Sequence, residues 1–257
     1  MKRFYFLMFC FSLLFAGNLC AQTAKKPVPK KIVSKNNTIK KISSTKTVVK
    51  KPVKPPAAKV KSDNSIKIKI VTDSGTMIVK LYDSTPLHRD NFVKLVKEGF
   101  YDSLMFHRII QGFMVQGGDP NSKNAAAGVM LGNGGDNMAR IPAEFRKSLY
   151  HKKGVLAAAR DGNPEKASSA CQFYIVQGKI LSDAELDMME SRLGNKYTLQ
   201  QRNTYKKSGG TPFLDQNYTV FGEVIMGLEV VDKIASAPTA PGERPVGDIR
   251  MKMEVVK

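Results

Sequence analysis

The side chains that most often carry catalysis or bind metals are few in this sequence and far apart. The 257 residues include three histidines and three cysteines, namely His88, His107, His151, Cys10, Cys20 and Cys171. A zinc site needs three or four such ligands at workable spacing, so the sequence argues against a transition-metal site built by the protein. The chain also lacks a G-x-S-x-G elbow, and its glycine-rich runs QGGDP and GNGGD lack a following Lys-Ser/Thr. Serine hydrolase and phosphate-cradle chemistry are therefore disfavoured.

Five blocks of the sequence resemble, in order, the motifs of one known family. They are FHRIIQGFMVQGGDP at 106–120, IPAEF at 141–145, KGVLAAAR at 153–160, CQFYIVQG at 171–178 and PFLDQNYTVFGEVIMGLEVVDKIA at 212–235. The family is that of the cyclophilin-type peptidyl-prolyl cis-trans isomerases, and the resemblance covers residues 66–180 and 210–257. It implies an eight-stranded antiparallel barrel closed by two helices, which rotates X-Pro bonds of proline-containing polypeptides without a cofactor.

The resemblance also implies the site residues. Arg108 lies at the position of the catalytic arginine, whose charged, multi-donor guanidinium suits donation to a nitrogen that becomes basic only when the bond twists. Gln116 matches the polar residue near the substrate carbonyl and backbone, where an amide can both donate and accept. The implied substrate-binding residues are Phe106, His107, Phe113, Met114, Ala159, Arg160, Gln172, Phe173, Phe213, Leu214 and Tyr218.

Four positions depart from the family's best-known pattern. Tyr218 replaces a histidine, Tyr174 a phenylalanine, Arg160 an asparagine and Phe213 a tryptophan. Each of these replacements can still donate a hydrogen bond or offer an aromatic ring. Arg160 adds a positive charge, which would favour an acidic or polar residue before the proline.

The elements that must position these residues are short strands and two helices. Alternating apolar residues around the turn TDSG predict a hairpin over 66–82. A helix is predicted between Thr85, as its N-cap, and Gly99, where it ends, with Pro86 at the first helical position. Short apolar runs near 105–109, 113–116, 155–159, 172–176 and 219–225 precede a helix at 228–235 and a closing strand at 249–256. This pattern is typical of a mainly β, closed antiparallel barrel.

Residues 181–209 interrupt the strand pattern and lie outside the family resemblance. Ser182 with Glu185, and Thr198 with Gln201, have the spacing of capping boxes, which predicts a helical insertion of one or two helices. We expect a solvated surface lid rather than a partner-binding element.

The chain's basicity belongs to its N-terminal quarter. Residues 1–65 contain 15 Lys or Arg and one acid, which leaves 26 of the 41 bases and 21 of the 22 acids for 66–257. Residues 22–65 contain 13 Lys, five Pro and no aromatic residue, so they cannot bury enough apolar surface to fold. We expect a disordered arm that is either a plain linker or binds an anionic envelope surface by charge. Without aromatic residues for base stacking, nucleic acid is the weakest of the partners.

The first residues have the pattern of an export leader. Lys2 and Arg3 precede an apolar run of about 13 residues, which is too short to span a membrane. We expect cleavage after Ala21, which leaves no transmembrane segment and places the protein outside the cytoplasm, in the periplasm. Lipid anchoring through Cys20 is disfavoured because Leu19 stands where a lipoprotein signal has a small residue.

The predicted organisation is thus a signal peptide at 1–21, the arm at 22–65 and one isomerase domain at 66–257. The rival hypothesis is a non-catalytic module that binds proline-containing segments and is localised by its basic arm. The presence of both Arg108 and Gln116 favours the isomerase over the binding module, because binding alone would not require a hydrogen-bond donor directed at the imide nitrogen.

Overall fold

The computed structural model describes residues 65–256. The predicted leader at 1–21, and all of the predicted arm at 22–65 except Ser65, lie outside the described residues. Within the described range no helix has both the length and the apolar character needed to cross a bilayer.

Eight antiparallel strands form one sheet in the order β3-β4-β6-β5-β7-β2-β1-β8. The strands are β1 Lys67–Thr72, β2 Gly75–Leu81, β3 Phe106–Ile110, β4 Met114–Gly117, β5 Val155–Ala158, β6 Phe173–Val176, β7 Val220–Met226 and β8 Met251–Val256. Backbone hydrogen bonds from Phe106 to Ile249 and from Met251 to Leu104 join the β3 and β8 edges, so the sheet curls into a barrel. The predicted mainly β barrel is confirmed.

Four α-helices accompany the sheet: α1 Pro86–Lys97, α2 Asp183–Leu193, α3 Leu199–Ser208 and α4 Leu228–Ala235. The main core lies inside the barrel and includes Ile70 of β1, Ile175 of β6, Phe92 of α1 and Ile234 of α4, each at most 3% exposed. The two helices predicted to close the barrel are therefore α1 and α4. Two short 3₁₀ turns, Pro120–Ser122 and Pro212–Leu214, complete the regular structure of the described residues.

Helix α1 begins at the predicted Pro86, but its cap differs from the prediction. Thr85 is the N-cap residue, yet its hydroxyl donates to the carbonyl of Tyr82 and accepts nothing from the helix. The Glu144 carboxylate instead accepts from the backbone N–H groups of Leu87 at 3.2 Å and His88 at 3.0 Å. A residue distant in sequence thus satisfies the helix terminus, which local spacing could not reveal.

The insertion forms two helices, and both predicted capping boxes are present, at Ser182 with Glu185 and at Thr198 with Gln201. Its charges pair between the helices, because Arg202 of α3 contacts Asp183, Asp187 and Glu190 of α2.

Two buried tyrosines of the insertion connect it to the 3₁₀ turn Pro212–Leu214. The Tyr205 hydroxyl donates to Asp215 at 2.6 Å, and the Tyr197 hydroxyl donates to the carbonyl of Pro212 at 3.0 Å. The insertion therefore supports the turn that carries Phe213 and Leu214.

Candidate active site

A second cluster of apolar side chains includes residues of β4, β5 and β6. On β4, Met114 and Gln116 point to the same face because strand side chains alternate, and Gln116 pairs across the sheet with Tyr174 of β6. Met114, Tyr174 and Leu214 are each less than 10% exposed and form one cluster with the partly buried Phe113 and Tyr218. We call these five residues the apolar pocket; it is separate from the core inside the barrel.

A row of polar side chains runs beside the apolar pocket. Arg108 of β3 pairs with Gln116 of β4, and its Nη1 lies 3.4 Å from Gln116 Oε1. Gln116 Nε2 donates to Gln172 Oε1 at 3.1 Å, and Gln172 Nε2 donates to the carbonyls of Gly132 and Gly134 at 2.9 Å each. These bonds fix which end of each amide is donor and which is acceptor. The row therefore presents a guanidinium and an oriented amide next to an apolar surface.

Glu243 holds the Arg108 guanidinium from the opposite end of the row. Its Oε2 accepts from Arg108 Nε at 2.6 Å, and its backbone carbonyl accepts from the N–H of Ile109 at 2.8 Å. Glu243 has a φ of 66°, a left-handed conformation that is unusual for a residue with a side chain. Within residues 65–256 the Nη2 group of Arg108 has no hydrogen-bond partner, and the side chain is 41% exposed. The guanidinium is thus oriented, yet still has N–H groups free to donate.

Aromatic rings and a second arginine border the pocket. Phe213 is 43% exposed, and its ring centroid lies 5.5 Å from that of Phe113. The guanidinium carbon of Arg160 lies 4.6 Å from the centroid of Tyr218, and Arg160 Nε donates to the carbonyl of Asn217 at 2.8 Å. Ala159 belongs to the same cluster. Ten of the thirteen implied site residues, with Arg108, Gln116 and Gln172 among them, thus lie around one surface.

Two implied binding residues, Phe106 and Phe173, lie elsewhere. Both are at most 1% exposed in the core inside the barrel, where their rings are 6.1 Å apart. Phe173 alternates with Gln172 and Tyr174, so it faces the opposite side of β6. Phe106 is two residues from Arg108, so regular alternation would place both side chains on the same face of β3. A register shift between these two residues instead turns the Phe106 side chain to the opposite face. We therefore correct the expectation that these rings contact substrate.

His107 is also absent from the apolar pocket. It is 2% exposed, and within the described residues neither ring nitrogen has a hydrogen-bond partner. Burial lowers the pKa of His107 to about 4, which outweighs the opposing effect of Asp119. The imidazole is therefore neutral at pH 7 and lines a second cavity, next to Arg108.

The structure adds two residues that the sequence-based site set omits, Tyr174 and Glu243. Tyr174 could have been found from strand alternation, since it shares the parity of Gln172. Its hydroxyl lies 2.9 Å from His151 Nε2, and burial raises its pKa well above the usual value, so it stays protonated. Nothing in the sequence near Arg108 points to Glu243, which is 135 residues away.

Other reactive side chains of the described region are enclosed. His88 lies 2.7 Å from Glu144 through Nδ1 and 3.0 Å from Ser168 Oγ through Nε2, which has the order of a hydrolase triad. All three residues are at most 6% exposed, so no substrate reaches the hydroxyl. Cys171 is buried, and burial raises the pKa of its thiol. No group of three His, Cys, Asp or Glu residues between 65 and 256 is arranged to hold a metal ion. The polar row offers oriented hydrogen-bond donors and acceptors.

Comparisons with known proteins agree with this geometry. The sequence model of the family described as "Cyclophilin type peptidyl-prolyl cis-trans isomerase/CLD" matches residues 67–255. A protein of Staphylococcus saprophyticus, provisionally named a peptidyl-prolyl cis-trans isomerase, is 34% identical over 198 residues, which cover 76% of this chain and 93% of the relative. A Staphylococcus epidermidis protein with the same name is 35% identical over 190 residues, covering 73% and 89% of the two chains.

Solved structures show the same fold. The crystal structure of a cyclophilin type peptidyl-prolyl cis-trans isomerase of Cryptosporidium parvum aligns with a TM-score of 0.54 at 22% sequence identity. The alignment covers 75% of this chain and 98% of that one. A second crystal structure of the same protein, obtained in the presence of the dipeptide Ala-Pro, aligns with a TM-score of 0.53 over 74% and 99% of the two chains, also at 22% identity.

Proposed function

Since the chain belongs to the cyclophilin-type peptidyl-prolyl cis-trans isomerases and is an enzyme of that class, we propose that Arg108 and Gln116 carry its reaction and that its substrates are secreted or envelope proteins. The single observation that supports this site is the pairing of Arg108 with Gln116 beside the apolar pocket.

The reaction requires a twisted amide to be stabilised, and no covalent bond to be made or broken. Resonance between the nitrogen and the carbonyl gives a rotation barrier of about 18–20 kcal/mol. Uncatalysed X-Pro bonds therefore interconvert in about 10–100 s. In the twisted state the nitrogen regains its lone pair and becomes a hydrogen-bond acceptor. A donor placed there stabilises the transition state more than either ground state, which is the requirement for catalysis.

Arg108 meets this requirement. Because Glu243 occupies its Nε and Gln116 lies at its Nη1, the guanidinium is positioned before substrate arrives, and its Nη2 group can donate to the imide nitrogen. Gln116 retains a second N–H and a second lone pair with which to bind the substrate backbone.

The apolar pocket would hold the proline ring while the acyl side rotates. Its residues Phe113, Met114, Tyr174, Leu214 and Tyr218 form a mostly apolar cluster, in which Phe113 and Tyr218 are only partly buried. Full burial of a side chain of the size of valine or leucine contributes about 1.5–3 kcal/mol, and proline is of similar size. This energy binds both isomers, so it anchors the substrate, whereas Arg108 supplies the selectivity for the transition state.

Exchange spectroscopy on an X-Pro peptide tests the role of Arg108. Arg108→Ala should lower catalysed exchange by about 2–4 kcal/mol of transition-state stabilisation, or roughly 30- to 1,000-fold, with the fold intact. Arg89→Ala is the matched control, because it removes an ion-paired arginine of α1 outside the site. Unchanged exchange in Arg108→Ala would contradict the assigned role. A wild-type chain that binds the peptide without accelerating exchange would favour a proline-binding module instead.

We also propose that the protein is exported to the periplasm, which the N-terminal sequence pattern supports. Cell fractionation should find the protein outside the cytoplasm, and mass spectrometry should show a mature chain that begins at Gln22. Cytoplasmic retention with an intact leader would contradict this proposal, and acylated Cys20 would indicate a lipid anchor. Deletion of 22–65 should change attachment to an anionic envelope surface and its salt dependence, but leave small-peptide turnover unchanged.

A further inference from the structure

A second cavity lies next to Arg108 and has no assigned role. It encloses about 520 Å³ between residues 127–131 and 240–248, and Arg108 and His107 form part of its wall. Ligand pockets in proteins typically measure roughly 300–1,000 Å³. None of the five residues of the apolar pocket lines this cavity. Arg108, which also lies 3.4 Å from Gln116 in the polar row, therefore belongs both to that row and to the wall of the cavity.

A buried arginine, Arg244, holds the walls of the cavity together. Arg244 is 8% exposed, and its Nη1 donates to the carbonyls of Ala126 and Val129 at 2.8 Å each. Its Nη2 donates to Asp248 at 3.1 Å. These bonds connect the two chain segments that form the opposite walls. The shape of the cavity is therefore fixed by side chains with no part in the polar row.

The cavity has a mixed lining in which apolar side chains predominate, and its charges are compensated. The apolar side chains in its walls are Val129, Met130, Leu131, Pro241, Pro245 and Val246. Of its charged groups, Arg244 pairs with Asp248 and Arg108 pairs with Glu243. His107 is neutral at pH 7, as described above. An uncharged, apolar guest therefore matches this surface better than an ion of either sign.

We propose that this cavity binds a large apolar side chain of the client polypeptide, one that lies within two residues of the isomerised proline. Arg108 lines the cavity, and in the proposed mechanism it also donates to the imide nitrogen of the X-Pro bond. The substrate residues next to the proline can therefore reach the cavity when the substrate chain is extended. Consecutive Cα atoms are only 3.8 Å apart, which sets this limit of one or two residues. The inference rests on the proposed function and adds a sequence preference to it.

The test uses the full chain and two series of X-Pro peptides, measured by exchange spectroscopy. In one series the residue before the proline is Gly, Ala, Leu or Phe, and in the other these residues follow the proline. In one of the series, we expect KM to be at least tenfold lower for Leu or Phe than for Gly, with kcat little changed. Binding energy that is equal in the ground and transition states lowers KM alone.

Val246→Asp places a carboxylate on the wall and should remove this preference, while the Gly peptide is turned over as by the wild type. Val246 is 70% exposed, so this change should not disturb folding. Val255→Asp, at an exposed valine of β8 outside the cavity, is the matched control and should keep the preference. Equal KM values in both series, or a preference that survives Val246→Asp, would overturn the inference while leaving the isomerase intact. Absence of turnover for every peptide would instead refute the proposed function.

Discussion

Replacement of His107 tests how burial of a neutral imidazole links the stability of this domain to pH. An unfolded histidine has a pKa of about 6.5, whereas burial lowers the pKa of His107 to about 4 in the folded chain. Asp119 opposes this shift, and Arg108 and Arg244 add to it. The unfolded state therefore binds the proton more readily, so the stability that this group contributes at neutral pH is lost as the pH falls below 6.5.

The size of the effect follows from the two pKa values. One pKa unit corresponds to 1.36 kcal/mol, and at pH 4 the folded histidine is half protonated. The free energy of unfolding should thus fall by about 3 kcal/mol between pH 7 and pH 4 because of His107 alone. Burial also lowers the pKa of His88, so the wild-type chain loses further stability as the pH falls.

Urea denaturation of the wild type and of His107→Gln between pH 7 and pH 4 isolates the contribution of His107. Glutamine does not titrate, and the variant keeps His88, so the difference between the two curves belongs to position 107. We expect the stability difference between the two proteins to change by about 3 kcal/mol in favour of the variant as the pH falls. Parallel curves would show that the buried imidazole takes up no proton on unfolding, and would refute the reasoning.

Three further substitutions separate activity from stability. Glu243→Ala should lower kcat about five- to tenfold, because it releases the Arg108 guanidinium, and exchange spectroscopy measures this loss. The melting temperature, measured by calorimetry, should hardly change, because the ion pair is half-exposed. Tyr205→Phe should lower the free energy of unfolding in urea by about 2 kcal/mol, because it removes a buried hydrogen bond to Asp215; a loss below 0.5 kcal/mol on the same scale would contradict this role. Gly118→Ala should cost about 3 kcal/mol or more in the same assay, because its Cβ would overlap a backbone carbonyl oxygen and its φ is +92°; wild-type stability would contradict the geometry.

The barrel was predictable because its signals are local. The alternation of Ile68 and Ile70, and the Pro86 start of α1, identify elements that the structure contains. Capping boxes likewise located both helices of the insertion. What local patterns could not supply is the long-range partner, such as Glu144 at the start of α1.

The candidate site was only partly predictable for a related reason. Motif position implied Phe106 and Phe173, but the face on which a strand residue lies depends on alternation and register. The alternation of side chains along β6 alone could have predicted Tyr174, rather than Phe173, as the site residue. The register shift next to Phe106 depends on the pairing with β4, where Gly117 lies opposite, and Glu243 reaches Arg108 from a separate loop.

The place of β1 in the sheet determines when this domain can finish folding. β1 pairs with β2 on one side and with β8 on the other, where Ile70 lies opposite Met253. Because β8 is the last strand of the described chain, the second edge of β1 is covered only after all other strands are available. Until then one edge of an isoleucine-rich strand is unpaired, which is a condition that promotes aggregation. Completion of the barrel must therefore wait for the last strand to be synthesised.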